Sequence, residues 1–166
     1  MAELSLAMRH AVVSLRARDG ALVRAARALG IAALPGANRW IECAPGSCLW
    51  VRPDEWLIIG DYEARLAICA ALEEVIGVND GAVVDISASR LVFELSGAGA
   101  RDVLASCCPL DLHPRAFAEG RCAQSVIGKA PVLLQLVDDA PRWRLVVRPS
   151  LVAYVTSWLT DAMTGA

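Results

Sequence analysis

The chain's readiest nucleophiles and metal ligands are its two histidines and six cysteines. His113 stands near Cys107, Cys108 and Cys122, with Asp111 two residues before it, so a Cys–His nucleophile can be drawn there. No oxyanion-hole motif accompanies the group, and Pro114 follows the histidine. A histidine that holds its loop by hydrogen bonds, or meets a partner, suits that setting better. Asp85, Ser87 and Arg90 place a carboxylate, a hydroxyl and a cation at one strand junction, which could hold a polar ligand ring. Asp85 could equally cap the next turn or pair with Arg90 or Arg101, and turn acceptor is the ordinary role of an Asp at a strand end. Ser96-Gly97-Ala98-Gly99 could present N–H groups to an anion. Asp102, itself negative, occupies the third glycine's place in the dinucleotide fingerprint, so helix entry is the simpler reading. No Cys-x-x-Cys pair is present, which argues against structural zinc. P-loop, His-Glu-x-x-His and Gly-x-Ser-x-Gly signatures are missing.

The segment Cys107–Ser125 carries the most information. Pro109 and Pro114 forbid a regular helix through it, because each lacks an N–H and pushes the preceding residue out of α geometry. Leu110, Leu112, Phe117 and Cys122 alternate with charged groups, so this is no plain linker. We read a structured crossover held by its leucines and Phe117. It offers Asp111, His113, Arg115, Arg121 and Gln124 as candidate partner contacts, with Asp85 and Arg90 as candidate ligand contacts.

The elements that must position these groups follow from periodicity. Residues 10–17 alternate as a strand, and Asp19-Gly20 turns the chain. Residues 21–29 predict a helix burying Leu22, Val23, Ala26 and Leu29, with Arg24 and Arg27 solvated and Gly30 at the C-terminal cap. The stretch 34–45 is turn-rich. Residues 48–52 and 55–59 form a hairpin about Pro53-Asp54, flanked by Trp50 and Trp56. A helix over 62–76, capped by Asp61, buries Ile68, Leu72 and Val75. Strands follow at 82–87 and 91–96, then a helix at 99–107 with Val103, Leu104 and Cys107 inward. After the crossover come strands 123–129, 131–137 and 142–148, the last pair joined by Asp138-Asp139-Ala140-Pro141. Ser150 should cap a final helix with Leu151, Val155, Trp158 and Leu159 in one stripe. This order gives an α+β chain of two tandem split β-α-β, ferredoxin-like units, with mixed or antiparallel sheets and helices on one face. It is one domain over 1–166 with pseudo-duplicated halves at about 8–87 and 90–163; no repeat of residue identity is visible.

Composition limits the function. Hydrophobic residues make up 56% and charged residues 20%, with no uninterrupted apolar run of the about 18 residues a membrane span needs. Excess apolarity without a span points to a buried interface with other chains. The net charge of −2 creates no field for nucleic acid, and no basic groove with interleaved aromatics appears. No basic stretch followed by an apolar core opens the sequence, so reduced thiols in a cytoplasmic protein are expected.

Several blocks carry a family likeness: Asp-Glu-Trp-Leu-Ile-Ile-Gly (54–60), Val-Val-Asp-Ile-Ser (83–87), Leu-Ser-Gly-Ala-Gly-Ala-Arg-Asp-Val-Leu (95–104), Cys-Pro-Leu-Asp-Leu-His-Pro-Arg-Ala-Phe (108–117) and Gly-Arg-Cys-Ala-Gln (120–124). Over about residues 45–162 the sequence resembles the gamma-subunit family of heterotetrameric sarcosine oxidases. The 108–124 block is the specific part; the rest is shared with aminomethyltransferase-like folate-binding domains. The resemblance implies the paired split β-α-β fold of those domains. It also implies an accessory chain with no assigned catalytic residue, beside alpha, beta and delta subunits that carry FAD, FMN, NAD and zinc. The family's enzyme demethylates sarcosine to glycine, reduces oxygen to peroxide and passes the one-carbon unit to tetrahydrofolate. Two other readings are a stand-alone folate-binding protein of the aminomethyltransferase superfamily and a scaffold subunit of another flavin amine or imino-acid dehydrogenase. Against the first, the chain is about half the size of those proteins and lacks the Lys-Gly-Cys-Tyr-x-Gly-Gln-Glu signature of the related iron–sulfur repair branch.

Overall fold

A computed structural model describes residues 1–138 and 140–165, with the side chains of residues 6–8 left aside. Contacts divide the chain into two units, Arg9–Ala88 and Ser89–Ala166 together with Met1–Met8. The first strand, β1 (Glu3–Met8), thus belongs with the C-terminal residues. Asp139, which the sequence places in the last hairpin turn, lies outside the described residues.

The unit Arg9–Ala88 contains β2 (His10–Ala17), α1 (Gly20–Ala28), β3 (Trp40–Cys43), β4 (Gly46–Arg52), β5 (Glu55–Asp61), α2 (Arg65–Glu73) and β6 (Gly81–Asp85). Its five strands run in the order β3-β4-β5-β2-β6, every pair antiparallel. Alternation in β2 sends Ala11, Val13, Leu15 and Ala17 to one face, where they meet Ile58 of β5, Ala21 and Ala25 of α1, and Ile68 and Leu72 of α2. Pro53 and Asp54 make the expected tight turn, and Trp50 pairs across it with Trp56. Glu55, only 8% exposed, accepts from Ser14 Oγ at 2.9 Å and pairs with Arg52 at 2.9 Å and Arg16 at 3.5 Å, which locks that end of the hairpin.

The second unit contains β7 (Leu91–Ser96), α3 (Ala100–Cys107), β8 (Cys122–Ile127), β9 (Ala130–Asp138), β10 (Arg142–Val147) and α4 (Val152–Thr164). Its sheet order is β1-β7-β10-β9-β8. Phe93 and Leu95 of β7, Leu134 and Leu136 of β9 and Trp143 and Leu145 of β10 pack on Val103, Leu104, Val155 and Leu159 of the two helices. Matched element by element, the units are one architecture drawn twice. Each has a strand, a helix, a three-strand meander and a second helix, in the same sheet order. The closing strand that β6 supplies to the first sheet is supplied to the second by β1. Gly97, at φ 96°, lets β1 in: a Cβ there would strike the carbonyl oxygen of Met1.

Some local expectations fail for identifiable reasons. Strands β1 and β3 were not expected, the first lying outside either predicted half and the second inside a turn-rich stretch. In α1 the buried face is Ala21, Ala25 and Ala26, with Leu29 buried just past the helix end, leaving Val23 55% exposed. Arg24 is no free surface group, since it pairs with Asp80 and donates to the Val75 carbonyl at 2.8 Å. Asp61 caps as expected, accepting from Glu63 N at 3.0 Å, but a 3-10 turn over Tyr62–Ala64 precedes the helix. Ser150 makes no side-chain cap. Pro149 instead starts a 3-10 turn (Pro149–Leu151) that feeds α4 directly. On α4, Val155 and Leu159 are buried, while Trp158 is 42% exposed and tilts against Tyr154.

Candidate functional site

Asp85 ends β6, and its carboxylate is engaged from two sides. One oxygen accepts from the Ser87 N–H at 2.9 Å and from the Ser87 hydroxyl, an Asx turn that starts the 3-10 turn Ser87–Ser89. The Ser87 hydroxyl in turn accepts from Val12 N at 2.9 Å, tying the turn to β2. The other oxygen lies 3.9 Å from Arg65 Nε. Hydrogen bonds from the Ser87 hydroxyl and N–H, and then the Arg65 charge, hold the Asp85 carboxyl below its ordinary value. Arg65 also lies over the Tyr62 ring at 4.2 Å from its centroid, with Arg9 at 5.8 Å from the same centroid. The predicted hydroxyl partner is therefore present, but the cation is Arg65. Arg90 donates to Ser89, at 2.8 Å to its carbonyl and 3.3 Å to its hydroxyl. Local spacing gave no hint of Arg65, because the packing of α2 beside β6 joins residues 20 apart in sequence.

The crossover between α3 and β8 is anchored as its leucines suggested. Leu112 and Phe117 are buried in the core of the second unit, and Leu110 packs against it. Phe117 meets Trp143 ring to ring with centroids 5.2 Å apart. Arg101, on the first turn of α3, is the clamp that sequence reading missed. Its guanidinium donates to the Leu112 carbonyl and, at 3.3 Å, to the Phe117 carbonyl, while it lies 5.2 Å from the Trp143 ring centroid. Bonds to a charged donor contribute about 1.5–3 kcal/mol each, so one side chain fixes both ends of the buried stretch.

The polar residues of the crossover divide into loop builders and outward groups. Asp111 accepts from His113 N at 2.9 Å, and His113 Nδ1 accepts from Arg115 N at 3.2 Å. The carbonyl of His113 accepts from Ala116 N and Phe117 N, both at 2.8 Å. Arg121 is half-buried and donates to the Ala116 carbonyl at 3.4 Å. Asp111, His113, Arg115 and Gln124 are exposed, Gln124 on the edge strand β8. The arrangement is a rigidly seated rim of mixed charge, the form a recognition surface takes when its backbone is fixed from beneath.

The thiols near His113 are turned to packing. Cys107 Sγ donates to the Val103 carbonyl at 3.3 Å, and Cys108 Sγ lies 3.4 Å from Ser125 Oγ. Burial first, and then neighbouring Cys108, pushes the Cys107 thiol up to about 11; burial does the same to Cys43. Thiols held that high are not thiolates near neutrality. None of the six cysteines is joined in a disulfide. Among the described residues no group of three or more His, Cys, Asp or Glu is placed to hold a metal ion. The Ser96–Gly99 entry to α3 is packed against the Met1 and Ala2 backbone, so it is no open phosphate cradle. No helix among the described residues is long and apolar enough to cross a membrane.

Comparison with known proteins gives a consistent answer. The family model "Sarcosine oxidase, gamma subunit family" matches residues 16–165. The sarcosine oxidase gamma subunit of Corynebacterium sp. (strain P-1) is 41% identical over 116 residues, covering 70% of this chain and 56% of the relative. That of Arthrobacter sp. is 40% identical with the same coverage. The chain thus spans about half the length of the curated relatives it matches. A chain of the heterotetrameric sarcosine oxidase from Corynebacterium sp. U-96, solved in complex with pyrrole 2-carboxylate, superposes with a TM-score of 0.90 at 32% identity. That match covers 99% of this chain and 84% of the other. The glycine cleavage system aminomethyltransferase T from Bartonella henselae matches with a TM-score of 0.74 at 13% identity, over 95% of this chain and 45% of that one, a likeness of fold alone. An α+β fold of paired antiparallel sheets, a charged crossover seated by Arg101 and Phe117, and a family match over nearly all the chain converge: this polypeptide belongs to the sarcosine oxidase gamma-subunit family.

Proposed function

We propose that this chain is the accessory gamma subunit of a cytoplasmic heterotetrameric sarcosine oxidase, without catalytic residues of its own, assembled with alpha, beta and delta subunits. The complex oxidatively demethylates sarcosine to glycine, with oxygen reduced to hydrogen peroxide and the one-carbon unit passed to tetrahydrofolate. FAD, FMN, NAD and zinc reside on the other subunits. The observation that carries this reading is the superposition of 99% of this chain on a chain of such a complex at 32% identity. The local chemistry is in keeping with it: the Asp85 carboxylate is engaged by Ser87 and Arg65, and Cys43 and Cys107 are held as thiols. The exposed rim of Asp111, His113, Arg115 and Gln124, with Arg121 behind it, is a contact surface for the partners, and Asp85 and Arg90 act as structural groups. Cysteines without disulfides suit a reducing compartment.

Co-expression of the tagged chain with the remaining subunits tests this. The expected result is a complex of fixed stoichiometry that carries flavin, while the chain purified alone binds no flavin and turns over no sarcosine. Sarcosine oxidation by the lone chain, or a monomer that retains folate and ignores the flavoproteins, would refute it.

A further inference from the structure

The two units differ in one place that the family match leaves unexplained. In the second unit the β8–β9 turn bonds to the end of α3, Gly128 N to the Cys107 carbonyl at 3.0 Å. Tyr154 and Trp158 of α4 lie directly over that turn. A Cβ on Gly128 would sit 2.7 Å from the Tyr154 hydroxyl and 2.8 Å from Trp158 Cε2. The first unit repeats the framework: Ala44 N of the β3–β4 turn bonds to the Leu29 carbonyl at the end of α1, again at 3.0 Å. The helix registers match as well. Each helix follows a three-residue 3-10 turn, Tyr62–Ala64 before α2 and Pro149–Leu151 before α4. Ile68 and Leu72 then correspond to the buried Val155 and Leu159, so Ala67 and Ala71 stand where Tyr154 and Trp158 stand. With methyl groups in place of two aromatic rings, the first unit has an open apolar groove of about 260 Å³. Leu29, Ile68 and Leu72 form its floor, and Ala44, Ala67 and Ala71 its walls.

We propose that this groove is a socket for an aromatic side chain carried, between basic residues, by another subunit of the assembly; this rests on the subunit reading above. Size gives the first half of the argument. An apolar cavity of about 150 Å³ takes a benzene ring, so this groove has room for an indole, the group its counterpart holds from within. Charge gives the second half. The Ala67–Ala71 stripe continues to Glu63 four residues before and Glu74 three residues after, both exposed and neither ion-paired among the described residues. Arg27 adjoins the lining residue Ala28 in sequence but lies about 100° round α1 from it. The exposed aromatics of this chain, Tyr154 and Trp158, have no basic neighbours in sequence, which argues against a second copy as occupant. An aromatic side chain buries about 150–250 Å², against about 800 Å² per partner in a stable pair, so the socket is one anchor point within a larger surface.

The test uses the co-expressed complex. The Ala44→Gly/Ala71→Trp variant rebuilds the Gly128/Trp158 arrangement and closes the groove from inside. Its lone-chain melting temperature is expected at or above that of wild type, and its affinity for the partner subunits about tenfold lower or worse. The Glu63→Lys/Glu74→Lys variant leaves the groove open and is expected to assemble several-fold more weakly at low salt, the deficit vanishing at high salt. If the wild-type chain assembles and both variants match it, the socket is wrong while the subunit reading stands. If the wild-type chain does not assemble, both fall. A homodimer that A44G/A71W breaks would put a second copy in the groove and overturn the assignment to another subunit. Should A44G/A71W not fold, the charge variant decides alone, and unchanged affinity at low salt overturns the proposal.

Discussion

Trp56 and Trp143 occupy the same place in the two units. Each is the second residue of the central meander's last strand, β5 or β10, and each pairs with a leucine of the adjoining strand, Leu15 or Leu95. Each also holds down the long connection that follows its unit's first helix, but by different physics. Trp56 donates its indole N–H to the Pro35 carbonyl at 2.8 Å. Trp143 is fully buried, with its N–H unpartnered among the described residues, and acts through its faces, on Phe117 and under Arg101. One indole is thus used as a polar handle and the other as an apolar platform, with the hydrogen bonding transferred to an arginine. A duplicated scaffold fixes where a side chain sits and leaves open which property of it is used.

This comparison can be broken most directly at Trp143. Trp143→Ala should cost about 3–5 kcal/mol and release the crossover, read as a lower denaturation midpoint with loss of amide protection over 108–121. A loss confined to β10 would mean that the ring is not the platform. Arg101→Met comes next, at about 2–3 kcal/mol, with protection lost at Leu112 and Phe117 and the core otherwise intact. If exchange at those residues is unchanged, the clamp is decorative. A finer distinction uses phenylalanine at both tryptophans. Trp56→Phe orphans the Pro35 carbonyl, whereas Trp143→Phe removes a donor that has no acceptor among the described residues, so Trp56→Phe should be worse by about 1 kcal/mol. Equal costs in urea melts would erase the handle-and-platform difference.

The smallest effect is a pH dependence on β6. The Asp85 carboxyl is held below its ordinary value in the folded chain, first by Ser87 and then by Arg65. As pH falls, the unfolded chain takes up that proton first. The stabilisation is therefore complete above about pH 5 and is lost as pH drops through the folded value. Asp85→Asn should flatten this part of the acid limb in urea midpoints taken between about pH 2 and 6. An acid limb identical to wild type would mean that the turn does not discriminate charge.

Much of the fold was legible wherever the signal is local. The alternation in β2, Pro53-Asp54 between two apolar runs, Asp61 ahead of α2 and the leucines of the crossover each predict what the structure has. Asp85 also reads correctly as a turn acceptor. What escaped depends on distant partners. β1 does alternate, Leu4 and Leu6 against Ser5 and Ala7, but its place is set by β7, some ninety residues later. β3 is four residues long, too short to show a period against its turn-rich surroundings. Val23 and Trp158 fit helical stripes, yet which part of a stripe is covered depends on what lies opposite. Arg101 and Arg65 look like ordinary surface arginines until the fold brings carbonyls or a carboxylate to them.

The placement of β1 bears on how the chain comes off the ribosome. It is synthesised before every residue it will pair with, and all of Arg9–Ala88 is made in between. The first unit can therefore close on itself while its predecessor strand waits, still unpaired, for β7 to emerge. During that interval an apolar strand with unmatched N–H and C=O groups is open to the wrong neighbour. Nascent chains stalled shortly after Ala88 should thus be the species that most needs a chaperone.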